Sequence, residues 1–294
     1  MQLPIIIFCI SILPFLFPAC AKKKVAEVGS IPITAKDISF RAKVSDIYYP
    51  GSGKDYIGLT QLIKGYLSEE VLKSLGQKVD QSAWETEAQR IDANTKAPAV
   101  LEKVKRVYGR DRKDFLNSFI RVVYAERVLY NEIFLKSAAI HREQREKAEE
   151  FLKAASHSPA KFSEVAKARG LDAKKFRLSA EGGIQPLETR RTPAGPRPVG
   201  FGQEQAQRLI AAVASLKPGA VAPDLIEWQE GFQALRFLKK EGKDYLVESV
   251  SVPKRGFDEW FWERASQIPV RIYNQELKDE LVKNVGWAKN LKLE

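Results

Sequence analysis

The longest apolar run in the chain sits at its start, and it limits the fold that follows by setting the compartment and the cross-links on offer. Leu3 to Ala19 is apolar apart from Ser11 and carries Pro4, Pro14 and Pro18. That is short for a bilayer span of about 20 residues, so the run reads as the h-region of a secretory signal, removed from the working protein. The chain then acts outside the cytoplasm. Its two cysteines are Cys9, inside the run, and Cys20, at its end. What remains to fold has no thiol for a disulfide, a zinc site or thiol catalysis, and packing alone must hold it. Residues 20–294 suffice for one large domain or two ordinary ones. With His141 and His157 as the only histidines, a histidine triad or metal centre has almost nothing to draw on, and neither cofactor nor metal is expected. The net charge of +11 favours anionic partners outside the cytoplasm: lipid headgroups, acidic polysaccharide or acidic unfolded chains rather than nucleic acid. Solubility alone is an equal explanation of it.

Phe17-Pro18-Ala19-Cys20 puts a small residue before a cysteine at the expected cleavage point. This resembles a bacterial lipoprotein signal, although no Lys or Arg precedes the run and Phe17-Pro18 is an unusual pair. The resemblance implies lipid attachment at Cys20 and anchoring to a bacterial membrane, on the periplasmic side of the outer membrane. An ordinary signal peptide with a chance cysteine is the other reading. Lys22 to Lys24 is then a basic tether that rests on anionic headgroups or stays solvated.

Val25 to Ile33 alternates about Gly29-Ser30, the pattern of a short strand or tight hairpin. Thr34 with Asp37 three residues on has capping-box spacing and predicts a helix to about Val44. Ile57 to Leu75 shows helical three-and-four spacing, and Gly76 ends it. Val79-Asp80-Gln81-Ser82 opens a further helix that stops before Pro98, and another is predicted over Val100 to Tyr108. A long helical tract runs from Asp111 to about Lys153, its second half charged and solvent-exposed. Gly182-Gly183 and Pro218-Gly219 are turn signals, and Thr189 to Gly202 is a loop. Ala234 to Leu238 and Tyr245 to Val252 read as strands, Phe257 to Gln267 as an aromatic helix, Ile268 to Tyr273 as a strand and Asn274 to Glu294 as a helix.

Taken in order, these elements resemble two families. Val28-Gly29-Ser30-Ile31-Pro32-Ile33-Thr34, then Leu62-Ile63, Leu67, Gly76 and Val79, then Phe115, Ile120 and Arg121, are similar to the N-terminal module of the SurA-like periplasmic chaperones. Phe162, Ala166, Gly182-Gly183 and the stretch from Gln205 to Pro223 resemble a parvulin-type prolyl isomerase domain, with "WQEGFQALRFLKK" as its closing strand. The fold expected is α+β, mostly α: a SurA-like helical module over 25–145, a parvulin-like α+β domain over 146–242 inserted in it, a segment over 243–275 returning to pair with the first strand, and a C-terminal helix over 276–294, after the signal at 1–19 and the tether at 20–24.

The parvulin resemblance implies histidines on the first and last strands around a prolyl pocket, where the barrier to rotation is about 20 kcal/mol. The closing-strand position holds Gln233, and no first strand is recognisable. Ala139-Ile140-His141-Arg142 is a superficial match inside a helical run, where His141 reads as a surface residue; His157 reads as a cap or a solvent-facing residue at a helix end. The domain is therefore expected to be a degenerate isomerase without catalytic residues. Trp260, Phe261 and Trp262, with Phe232 and Gln233, are the candidate peptide-binding surface, and the three consecutive aromatics alternatively seal a joint between modules. The function implied is an anchored chaperone for unfolded or outer-membrane-bound polypeptides; the rivals are an active isomerase and a structural or adhesive surface lipoprotein.

Overall fold

The computed structural model describes residues 24–109, 112–181, 183–187 and 203–293. The signal run, Cys20, Gly182 and the Thr189 to Gly202 stretch lie outside the described residues. The fold is α+β and mainly helical. It divides into two units, one of the described residues up to Glu126 with those from Arg264 on, the other Arg127–Glu263.

The first unit opens with β1 (Lys24–Val28) and β2 (Ile31–Thr34), an antiparallel hairpin that buries Ala26, Val28, Ile31 and Ile33. Gly29 takes a φ of 57°, the left-handed value that a glycine supplies freely at the first position of a two-residue turn. Thr34 caps α1 (Ala35–Tyr48). Its hydroxyl accepts the Asp37 N–H at 3.3 Å while the Asp37 carboxylate accepts the Thr34 N–H at 3.0 Å, the reciprocal box that the spacing predicts. The helix runs a turn beyond Val44.

α2 (Asp55–Ser74) buries Leu59, Leu62, Ile63, Leu67, Val71 and Leu72. It crosses α1 at Gly58, where a Cβ would stand 2.4 Å from the Ile38 carbonyl oxygen, so any side chain there forces the helices apart. α3 (Gln81–Asn94) starts at Asp80, whose carboxylate accepts the Ala83 N–H at 3.1 Å. Then come α4 (Pro98–Val107) and α5 (Arg112–Phe115), which a wide helical turn over Leu116–Ile120 joins to α6 (Arg121–Arg127). Val104, Tyr108, Phe115, Phe119 and Ile120 pack on Val44 and Ala88 as one core, with Phe115 stacked on Phe119 at 5.4 Å. Arg121, one of the residues carrying the chaperone resemblance, grips Glu69 of α2 through Nε and Nη2, the latter at 2.7 Å. Its guanidinium also lies 5.0 Å from the Tyr66 ring and 4.9 Å from Trp84. Glu69 is 1 % exposed; burial alone would raise its carboxyl, but Arg121 and Lys73 outweigh that and hold it below the usual range.

In the second unit a wide helical stretch, Val128–Phe134, ends in turns before α7 (Arg142–His157). The single tract predicted to Lys153 is thus two helices. The break lies where the apolar spacing changes face: Phe134 is the last buried residue of one, and Ala148, Phe151 and Ala155 form a new stripe on the other. α7 is therefore half core rather than a solvated rod. After α8 (Phe162–Lys167) come β3 (Ala173–Ser179), β4 (Gly183–Pro186), α9 (Gln203–Val213), β5 (Ile226–Glu227), β6 (Gly231–Glu241) and β7 (Asp244–Pro253). The strands form one antiparallel sheet in the order β4-β3-β7-β6-β5. Gly242, at φ 60°, starts the two-residue turn that folds β7 back on β6 with Glu241 opposite Asp244. The sequence puts a boundary at Gly242 and gives Tyr245 to Val252 to the returning segment; the hairpin instead sets β7 between β3 and β6 in the second unit's sheet.

α10 (Phe257–Ala265) leads to β8 (Val270–Ile272), which pairs antiparallel with β1, Ala26 opposite Ile272 and Val28 opposite Val270. The pairing of first and last strands that the sequence predicts is present. α11 (Gln275–Asn284) is shorter than predicted: Val285 is extended and a separate turn spans Gly286–Asn290. Among the described residues no helix is long and apolar enough to cross a membrane.

Candidate functional site

Strand alternation gives the second unit's sheet two different faces. Phe232, Ala234, Val250 and Val252 point to one, where Ala148 and Phe151 of α7 and Phe162 of α8 cover them. Phe162, placed by the parvulin resemblance, is fully buried here, with its ring edge-on to Phe151 at 5.2 Å; burying a side chain of this size contributes roughly 1.5–3 kcal/mol. Leu178, Leu235, Phe237 and Val247 point to the other face, under Ala206, Leu209 and Val213 of α9.

α9 covers only part of that second face. Beyond it lies a cleft of about 780 Å³, whose floor is Gln233 of β6 with Ser249 and Ser251 of β7 and whose walls include Phe176, Leu209, Trp228 and Pro253. Two hydrogen bonds fix the floor. The Trp228 indole N–H donates to Gln233 Oε1 at 2.8 Å, and Gln233 Nε2 donates to the Ser249 hydroxyl. Trp228 is held from both sides, since its backbone N–H donates to the Gly231 carbonyl at 2.8 Å and Arg208 lies 4.7 Å above its ring. Gly231 brings β6 close to β7: a Cβ there would stand 2.5 Å from the Val252 carbonyl oxygen. The rim carries Asp172, Lys174 and Glu230. Such a cleft offers hydroxyl and amide partners to a peptide backbone and apolar walls to its side chains.

Of the proposed surface residues only Gln233 reaches this cleft. Phe232, the next residue on the strand, points to the opposite face and is 3 % exposed. Trp260 and Phe261 are 1 % and 0 % exposed, so they are core rather than surface. The reason is helical spacing: Phe257, Trp260 and Phe261 share one side of α10. Phe257 stacks on Phe261 at 5.7 Å, and Trp260 meets Phe134 at 5.3 Å. Trp262 is half-buried, its ring against Phe261 at 4.7 Å. The lipid-attachment residue Cys20 lies outside the described residues.

Neither histidine lines the cleft. His157 ends α7, exposed, with Nδ1 2.7 Å from the Lys153 carbonyl oxygen. His141 is no surface residue: it is 2 % exposed, set edge-on to Phe134 at 4.9 Å, and Nε2–H donates to the Phe134 carbonyl at 2.8 Å. Burial holds its imidazole below the ordinary histidine range against the opposing pull of that hydrogen bond. Among the described residues no strand lies between β2 and α7, where the isomerase resemblance requires its first histidine-bearing strand.

The sequence singled out Gln233 but not Trp228, the residue that orients it. A tryptophan just before a Glu-Gly turn is a usable signal, since its N–H needs an acceptor nearby, but the acceptor is fixed only by the turn's geometry. Among the described residues no group of three His, Cys, Asp or Glu side chains is placed to hold a metal ion. Set against family models, curated proteins and solved structures, the chain matches none.

Proposed function

We propose that the protein is an extracytoplasmic chaperone of the SurA-like class, anchored to a membrane through lipid on Cys20, that holds unfolded polypeptides or outer-membrane protein precursors without covalent chemistry. The observation that carries this reading is the part of the second sheet face that the described residues leave uncovered, with its self-bonded Trp228–Gln233–Ser249 floor and apolar walls. A floor whose polar groups already bond one another presents backbone-sized hydrogen-bonding sites and selects no particular side chain, which suits a sequence-tolerant holder. Apolar walls and an aromatic anchor supply the affinity. The net charge of +11 suits acidic or outer-membrane-bound clients. Holding needs neither a cofactor nor a nucleophile.

The test is suppression of aggregation. Full-length protein added at near-stoichiometric amounts to a denatured outer-membrane protein should keep it soluble, and should leave proline-limited refolding of a model substrate unaccelerated. Failure to suppress aggregation sinks the chaperone reading, and acceleration of refolding would favour the isomerase in its place.

A further inference from the structure

The helical unit has a second cleft, of about 610 Å³, within the range of roughly 300–1,000 Å³ usual for small-ligand sites. Its lining is mostly apolar, with Val44, Leu101 and Phe119 among it, and Arg41 of α1 stands in its wall. Arg41 is 7 % exposed, and its Nε and Nη1 are buried without a hydrogen-bond partner. Asp37, one turn earlier and the natural ion-pair partner, is occupied: it accepts from the Thr34 N–H and hydroxyl and from the Ser118 hydroxyl at 2.6 Å. Glu126 also lines the cleft, with its carboxyl pushed up by burial against the pull of Lys64 and Arg41, and it makes no ion pair with Arg41. The Tyr108 hydroxyl stands beside the guanidinium, which pulls its pKa down against burial, yet the hydroxyl makes no hydrogen bond of good geometry. The Phe119 ring lies 5.4 Å from the guanidinium carbon. A buried, unpaired cation is costly unless an anion meets it.

We propose that this cleft binds the C-terminal carboxylate of an apolar peptide segment, with the carboxylate on Arg41. The polar groups beside Arg41 favour a peptide over a simple aliphatic acid. Gln61 Nε2 donates to the Ser45 hydroxyl oxygen at 2.7 Å, which leaves the Ser45 O–H as a donor and the Gln61 carbonyl oxygen as an acceptor for the amide next to a terminal carboxylate. An alkyl chain would leave both unpaired. Tyr48 and Tyr49 line the same cleft at 49 % and 73 % exposure, aromatic surface for the residues that follow. The site belongs to the first unit and does not depend on the holding function.

The test is calorimetric titration of the full chain with three probes: an acetylated apolar tetrapeptide with a free C-terminus, the same peptide amidated, and decanoate. The acid peptide should bind at least tenfold more tightly than the amide and more tightly than decanoate. Arg41→Met should erase the preference for acid over amide while the unfolding temperature stays level or rises, because the variant removes an unpaired buried charge. Equal binding of acid and amide, no binding of the acid peptide, tighter binding of decanoate, or a preference that survives in Arg41→Met would overturn the proposal. A lowered unfolding temperature in Arg41→Met would show that the fold itself satisfies the guanidinium, and would overturn it too; the comparison of acid with amide on the unaltered chain stands apart from that variant.

Discussion

The two clefts are built from similar materials and leave them in opposite states. In the sheet cleft the polar side chains bond one another in a row, Trp228 to Gln233 to Ser249, so the floor is neutral and its remaining N–H and O–H groups are oriented before any ligand arrives. In the helical cleft Arg41 keeps Nε and Nη1 without a hydrogen-bond partner, while Asp37, one turn away, caps a helix and binds Ser118. A bonded floor reads shape and backbone; an uncompleted cation waits for one chemical group. The pairing of buried polar groups therefore says more about what each cleft recognises than its size does.

The largest effect expected of any substitution here comes from the paired counterpart of Arg41. Arg121→Met leaves Glu69, 1 % exposed, with Lys73 at 2.7 Å as its remaining partner and should cost about 3 kcal/mol of unfolding free energy, the lower end for a broken buried pair, read by urea denaturation. Arg41→Met should cost none. If both arginines prove equally sensitive, the contrast between paired and unpaired charge fails. Glu69 also fixes the acid limb. Its folded-state pKa is depressed, so its contribution is complete above the unfolded value near 4.3 and is lost as pH falls through the folded value.

Next in size is Trp228→Ala, which removes the wall and the donor that orients Gln233. Affinity for an unfolded client should fall by about 2 kcal/mol, the scale of a buried aromatic anchor, as measured by fluorescence anisotropy of a labelled client. Gln233→Leu should have a smaller effect, about 1 kcal/mol, since one hydrogen-bonding group is lost and an apolar one gained. Equal effects of the two would mean that the bonded row, rather than the aromatic wall, does the holding.

The smallest effect concerns His141. Its folded pKa is lowered, so the unfolded chain takes up the proton first. The residue's contribution is full above about pH 6.5 and is lost as pH falls from there through the folded value, with a slope of at most one proton. Lys254 and Glu227, themselves paired at 2.8 Å, push its pKa in opposite directions. His141→Gln should flatten the stability profile between pH 5 and 7; an unchanged profile contradicts a buried neutral imidazole.

Local chemistry was legible in the sequence wherever its partners were local. The Thr34–Asp37 box, the Asp80 cap, the Gly29 turn and the apolar stripe of α2 all follow from residues within a few positions of one another. The meeting of β8 with β1 follows instead from the order of elements in the chaperone resemblance. What stayed hidden needed long-range register. The place of β7 at the sheet's centre depends on its hairpin with β6 and on its pairing with distant β3. Phe232 and Gln233, adjacent in sequence, part to opposite faces of that sheet, and Trp260 and Phe261 turn inward on a face set by Phe257 and Phe134. Nothing in the sequence singles out Arg41, because the occupation of Asp37 rests on Ser118, 81 positions away.

The most direct test of the holding site is photo-cross-linking from its floor. With benzoylphenylalanine replacing Ser251, an exposed floor residue, and in a parallel preparation Glu276, exposed on α11, each full-length protein is mixed with a denatured outer-membrane protein and irradiated. Strong cross-linking from position 251, abolished by Trp228→Ala and absent from position 276, is the predicted result. Cross-linking of equal strength from both positions, or none from position 251 while aggregation is still suppressed, would contradict the sheet cleft as the place where clients are held.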